Sequence, residues 1–390
     1  MGTKLRYACR SWGATCAVLA GCLVLFLLPG SKESPGQQGV KVCARVVAVD
    51  DGDLQQIGLL KMGSQHLVLE PLEGGAKGLR IRGENTLRAQ MDLDKVFAPG
   101  DLCLAGILGN PGPESVATAQ DHYRLHWSLL LFALFLILLL LFAGGTGLKA
   151  FASFLFSCLA IWKLVIPLCL GGWSPVWVAV GTVCLLTAVI VFLVAGFTAK
   201  GWTAFGGSML GVVSGAGMSR LFAYLLKVNG AVMPYAQPLL YSGYEWLDLR
   251  EVFTGAMILA SSGAVMDLGM DVAAGMAEVV RHQPSIGRRE LVASGWRIGR
   301  SVVGTMTTTL LLAYSGGYLT LMMAFHAQGT GPVDFLNNPY VAAECVKTLV
   351  GSFTLVLVAP FTALAGGFLL RPRQVATCGT DSCQPAMPED

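Results

Sequence analysis

The sequence predicts an all-α polytopic membrane bundle of about eight transmembrane helices, with a small extracytoplasmic β-barrel or β-sandwich domain between its first and second spans. Three observations lead there. Of 390 residues, 54% are hydrophobic and only 13% charged, about half the charged share of an average soluble domain. The apolar residues are gathered into runs: residues 129–142 hold only Leu, Phe, Ala and Ile, and a span needs roughly 17–25 such residues. Residues 40–109 break the habit with short β-branched stretches separated by turn residues.

The apolar stretches place spans near residues 12–28, 126–143, 150–170, 176–197, 203–226, 252–274, 302–325 and 347–369. Basic residues test this count, because they concentrate in cytoplasmic loops. Lys4, Arg6 and Arg10 precede the first span, which sets the N-terminus in the cytoplasm. Eight alternating spans then put Arg281, Arg288, Arg289, Arg297 and Arg300 on the same side, with Arg371 and Arg373 at the start of the tail. The outside loops 227–251 and 326–346 hold only Lys227 and Arg250. Both termini are therefore expected in the cytoplasm of a bacterial cell and residues 30–125 outside its cytoplasmic (inner) membrane. The expected order is a signal-anchor span (1–30), a β domain (40–109), a linker (110–125), a seven-span domain (126–370) and a cytoplasmic tail (371–390).

The first apolar stretch admits a second reading. Leu19-Ala20-Gly21-Cys22 matches a lipoprotein cleavage signal. The strongly apolar 23–28 that follows favours an uncleaved anchor, and either reading leaves the next segment outside.

The β domain is punctuated by Asp50-Asp51-Gly52-Asp53, Glu73-Gly74-Gly75 and Pro99-Gly100-Asp101. Short strands between such turns make a small antiparallel barrel or sandwich. Cys43 and Cys103 lie in it, and an extracytoplasmic location permits a disulfide between them; the other reading is two reduced core cysteines. Cys378 and Cys383 in the tail are a weak pair for metal or redox work, and no metal or cofactor is assigned. Asn110–Gln120, with its Pro, Gly and Ser, reads as the linker.

Three stretches resemble the YibE/F-like family of bacterial multi-span membrane proteins. One is the domain ending in Pro99-Gly100-Asp101. Another is Gly263-Ala264-Val265-Met266-Asp267, continuing to Glu278. The third runs from Ile298-Gly299-Arg300 through Gly304-Thr305-Met306 to Tyr314-Ser315-Gly316. The resemblance spans roughly residues 40–370. Where the family pattern carries Asp after Gly-Arg and Asn before Thr-Leu, this chain has Ser301 and Thr308. The resemblance implies the architecture above, and a transporter or permease family.

Charges inside a bilayer cost about 2.5–3.5 kcal/mol each on insertion scales, so those that persist mark the informative spans. Gly263, Asp267, Asp271 and Gly275 recur every four residues in the sixth span, which puts both carboxylates on one helix face. Two acids one turn apart resist double ionisation and suit a shared proton or cation. Arg300, re-entering on the seventh span, is expected level with Asp271 and Glu278 as their counter-ion. Thr305, Thr308 and Tyr314 follow it. The competing readings are a structural Asp–Arg clamp, or side chains that snorkel to water; threonines in such helices usually bond back to their own carbonyls. Glu344 and Lys347, at the outer end of the eighth span, read either as a gate or as an interfacial anchor pair. Gly207, Gly211 and Gly215 mark a close helix–helix contact, within one chain or between copies. Pro167 and Pro360 should kink their spans.

The sequence lacks a phosphate-binding loop, an HExxH metal-protease motif and a GxSxG nucleophile elbow, and reads as a non-enzyme. A net charge of +3 gives no nucleic-acid signal. The expected partners are the lipid bilayer and a second copy or homologous subunit. Two functions stand: a secondary transporter or permease subunit using Asp267, Asp271 and Arg300, or a non-catalytic membrane scaffold or sensor whose β domain binds an envelope partner.

Overall fold

A computed structural model describes residues 2–27, 39–91, 93–108 and 115–370. The tail cysteines Cys378 and Cys383, and residues 110–114 of the expected linker, lie outside them. The chain divides between Phe142 and Ala143 into a strand-containing unit and a helical unit, with the N-terminal helix in the second.

The first unit is a closed barrel. Its strands are β1 (Gly39–Asp50), β2 (Leu54–Ile57), β3 (Leu60–Pro71), β4 (Ile81–Arg88), β5 (Leu102–Leu108) and β6 (Val116–His122). The sheet order is β1-β5-β6-β4-β3-β2, and β1 also pairs with β3. That second pairing closes a five-stranded Greek-key barrel, the plan of an OB fold, with β2 hanging off β3 as a hairpin. β1 achieves it by bending. Gly39–Arg45 pairs with β5, and Ala44–Asp50 pairs with β3 across a register shift between Val46 and Ala48. Val46, Leu67, Leu69, Ile81, Phe97 and Ile107 fill the interior. Gln65 is fully buried beside them and is satisfied: it donates to Asp51 Oδ1 at 2.8 Å and to the Phe97 carbonyl at 3.0 Å, and accepts from Asn85 and from the Phe97 amide. These bonds tie the β4–β5 connection across the barrel.

One expectation is corrected here and one is decided. Residues 116–122, read as linker, form β6. It lies parallel to β4 and antiparallel to β5, and Ala117 and Ala119 reach the core. Small alanines alternating with polar residues carry too weak a hydrophobic signal to mark a strand. Of the two readings left open for Cys43 and Cys103, a disulfide or two reduced core cysteines, the strand register favours the second. The β1–β5 ladder sets Cys43 opposite Leu104 and Ala44 opposite Cys103. Opposed residues share a face and successive ones alternate, so the two sulfurs project to opposite sides. Both are buried free thiols, and burial pushes Cys103 up to about 11.

The helical elements are α1 (Gly2–Leu27), α2 (Leu125–Ala160), a π-helical turn (Ile161–Val165), α3 (Ile166–Leu170), α4 (Pro175–Ala195), α5 (Ala199–Leu225), α6 (Ala236–Tyr241), α7 (Leu249–His282), α8 (Arg288–Gly316), α9 (Leu319–Ala327), α10 (Pro332–Asn337) and α11 (Pro339–Leu369). Among the described residues, four stretches are long and apolar enough to cross a membrane: Leu125–Leu170, Pro175–Ala195, Leu249–His282 and Pro339–Leu369. The pair α8–α9, bent by 62°, is a fifth candidate when its two helices are taken as one broken span. The other expected spans differ for physical reasons. Residues 126–143 and 150–170 lie in one helical stretch broken at Gly144, whose φ of 52° and ψ of −126° suit only glycine. The apolar part of α1 is the short Gly13–Leu27. In α5, glycines and serines replace the leucines of the other spans.

Those glycines explain the packing. A Cβ at Gly207, Gly211 or Gly215 would collide with Thr362, Val358 or Thr354 of α11. A seam this close forms only where one helix has no side chains; the three-glycine pattern therefore marks packing within the chain. Gly269 of α7 meets Ser208 of α5, and Gly299 and Gly295 of α8 meet Ala359 and Ala363 of α11. Val265, Leu268, Val272, Met276, Leu355 and Val358 form the core between these helices.

Candidate functional site

Helix α7 is the centre of the bundle and packs against α4, α5, α8 and α11. Its buried side carries Val265, Leu268, Gly269, Val272 and Met276. One flank has no described helix over it: Ala256, Ala260, Gly263, Asp267, Asp271 and Glu278 are all exposed. The predicted carboxylate pair is therefore on one face, and that face looks out of the bundle.

The neighbouring α8 continues the polar flank. Gly275 of α7 meets Ile298, and Gly299 of α8 meets Val272, so the helices run antiparallel with Asp271 level with Ser301 and Asp267 level with Thr305. Ser301 and Thr305, three and seven residues beyond Ile298, share the side that adjoins α7. With Thr308 they are exposed. Their hydroxyls donate to carbonyls of their own helix: Ser301 to Ile298 at 2.8 Å, Thr305 to Val302 at 2.9 Å and Thr308 to Gly304 at 3.2 Å. Each oxygen keeps acceptor capacity facing outward. The result is a strip of two carboxylates and three hydroxyls.

Arg300 does not join it. Ile298 meets α7 and Gly299 meets α11. A further turn of about 100° carries Arg300 past α11, away from the carboxylates. Among the described residues neither Asp267, Asp271 nor Arg300 makes an ion pair. Glu278 is held instead by Arg281, and by His282 at 3.0 Å, both on its own helix. Nor is Arg300 level with both expected partners: this register puts it at the depth of Asp271, while Glu278 lies about two turns further along α7.

The second cluster lies where α8 bends into α9. Lys347 Nζ is 2.7 Å from Glu344 Oε1, and both side chains are mostly buried, 24% and 15% exposed. Lys347 also donates to the Tyr318 hydroxyl at 3.3 Å and lies 5.7 Å from the ring centre of Phe253. Tyr314 belongs to this corner rather than to the strip: its ring stands 3.7 Å from where a Cβ on Gly351 would be. Glu344 Oε2 is buried without a hydrogen-bond partner.

Sequence reading missed a third feature, an open cleft of about 450 Å³ whose mixed lining includes Leu221 and Val176 together with Arg220, Asp248, Arg250 and Glu251. Glu251 accepts from the Ser174 hydroxyl at 2.6 Å. The lone Arg220 near the end of an apolar, glycine-rich run was the available signal.

A family model for YibE/F-like proteins matches residues 131–372. The match holds α7, α8 and both clusters and leaves the barrel outside, although the resemblance was expected to begin near residue 40. No curated protein and no solved structure matches. With well over half of its length matched, and with the Gly263–Glu278 and Ile298–Gly316 blocks inside that match, the chain belongs to the family of YibE/F-like proteins.

Proposed function

We propose that this protein is a secondary transporter or permease subunit of a bacterial cytoplasmic membrane, with Asp267 and Asp271 as its proton or cation site. One observation carries the reading: both carboxylates lie far inside a membrane-length helix, on a flank that no described helix covers. Acids facing hydrocarbon are costly, so this flank faces water or another protein surface. Ser301, Thr305 and Thr308 supply oxygen ligands along the same route, and a second copy or homologous subunit supplies the missing wall. The bend between α8 and α9, with Glu344, Lys347 and Tyr318 at its corner, is the element that opens and closes the outer end. Both termini face the cytoplasm, as the basic residues favour.

Purified protein in vesicles, with an imposed pH or Na⁺ gradient and a fluorescent reporter of each ion, tests this. Asp267→Asn is expected to lower flux at least tenfold, whereas Arg300→Gln retains most of it. Equal flux in Asp267→Asn and the parent removes the proposal.

A second reading has its own observation. The β2–β3 hairpin exposes Ile57, Leu59 and Met62, with Met91 also exposed. An apolar hairpin tip on a closed barrel suits docking to an envelope protein. Under that scaffold reading, Leu59→Asp abolishes function while ion flux is unchanged.

A further inference from the structure

A second cavity, of about 220 Å³, lies between the end of α8, α9, α10 and the outer part of α11. Leu311, Met322, Phe335 and Leu349 make its wall almost wholly apolar, and Glu344 and Tyr318 stand at its polar end. The carboxylate is only half used. Oε1 takes the Lys347 ammonium; Oε2 is out of solvent and accepts nothing. Buried acceptors in folded proteins nearly always find a donor. Lys347 and the Tyr318 hydroxyl are the described side chains that interact with this carboxylate, and Oε2 itself is left without a partner.

The charge balance selects the donor. Glu344 and Lys347 already neutralise each other, so a cationic ligand would bring an uncompensated charge into an apolar cavity, and an anion would meet the carboxylate. An uncharged O–H or N–H meets neither penalty. Size selects the body: a dry cavity of about 150 Å³ holds benzene, so this one has space for a ring with a short substituent.

We propose that this cavity binds an uncharged apolar molecule carrying a single hydroxyl or N–H, which donates to Glu344 Oε2. A bilayer lipid with one free hydroxyl and a free phenolic solute share that chemistry. The inference is independent of whether the Asp267–Asp271 flank conducts ions.

The test uses the full chain, purified and delipidated in detergent, with 4-propylphenol and its methyl ether 4-propylanisole as matched probes. Calorimetric titration is expected to give saturable binding of the phenol, at least tenfold tighter than the ether. Cys345 lines the same cavity, and the phenol should slow its alkylation by a maleimide, read by peptide mass spectrometry, at least threefold more than the ether does. The double variant Glu344→Leu/Lys347→Leu, which leaves no charge unpaired, should bind both probes equally. Competition by a diacylglycerol identifies the natural occupant as a bilayer lipid; its failure identifies a free solute; in both cases the donor requirement stands. Equal binding of phenol and ether by the parent protein, or equal protection of Cys345 by both, overturns the proposal.

Discussion

Between α5 and α11 a row of glycines is pressed so hard against Thr362, Val358 and Thr354 that no methyl group fits. On the outer flank of α7 a row with the same four-residue step, from Gly263 through Asp267 to Asp271, faces open space, and a Cβ at Gly263 would meet nothing within 4 Å. The two rows look alike as spacing. They differ in what stands opposite. The seam is complete within one chain and its function is packing. The flank is exposed, and it is the flank that carries ionisable groups. A four-residue step alone thus says that a helix face is special, and only the facing surface says whether the face is glue or site.

The largest effect should come from filling the seam. Gly211→Leu is expected to cost about 3 kcal/mol or more, because neither backbone can retreat, and to lower the melting point and the yield of monodisperse protein. Gly263→Leu on the flank should change single-chain stability by under about 1 kcal/mol; a loss as large as that of Gly211→Leu would mean that the flank is already covered. Lys347→Met comes next. It strands a mostly buried carboxylate, and about 2–3 kcal/mol is expected, somewhat below the fully buried limit because the pair keeps some exposure. Adding Glu344→Leu should restore most of that in a denaturation series. Gly144→Ala forces a side chain into a positive-φ conformation and should cost about 1–2 kcal/mol, again by denaturation.

The smallest effect is a pH dependence in the barrel. A hydrogen bond to Asp53 raises the His66 pKa above its ordinary 6.5. Protonated His66 is thus favoured in the folded state. Its contribution is complete below pH 6.5 and fades as pH rises through the folded-state value. His66→Asn should flatten barrel stability above pH 6.5 and have no such effect on a seam variant. The same slope in both proteins would show that another group titrates.

Much of this organisation was legible in the sequence, and each failure has its own physical cause. Long leucine runs announce α2 whatever surrounds them. The Asp267–Asp271 alignment follows from helical period alone. Periodicity says which residues share a face but not which face meets a neighbour. Arg300 was therefore paired with carboxylates that its side of α8 turns away from. Glu344 and Lys347 are legible as a pair three residues apart, whereas Tyr318 and Phe253 reach them from distant parts of the chain. β6 was lost because its inward residues are alanines, and the state of Cys43 and Cys103 stayed open because a one-residue register difference reverses a side chain. Of the eight expected spans, the glycine-rich α5 and the short α1 fall below what length and apolarity alone certify.

The bent β1 strand has a consequence for biogenesis. It is the first strand to be made, yet one of its two partners, β5, starts only at Leu102, and β6, which secures β5, ends just before Leu125 where α2 begins. Until those residues have emerged, the valine-rich edge of β1 has unsatisfied amides and carbonyls on display, the condition under which nascent chains stick to one another. The barrel is thus a late-closing ring, and a holding chaperone would be most useful in the interval before the first long apolar helix arrives.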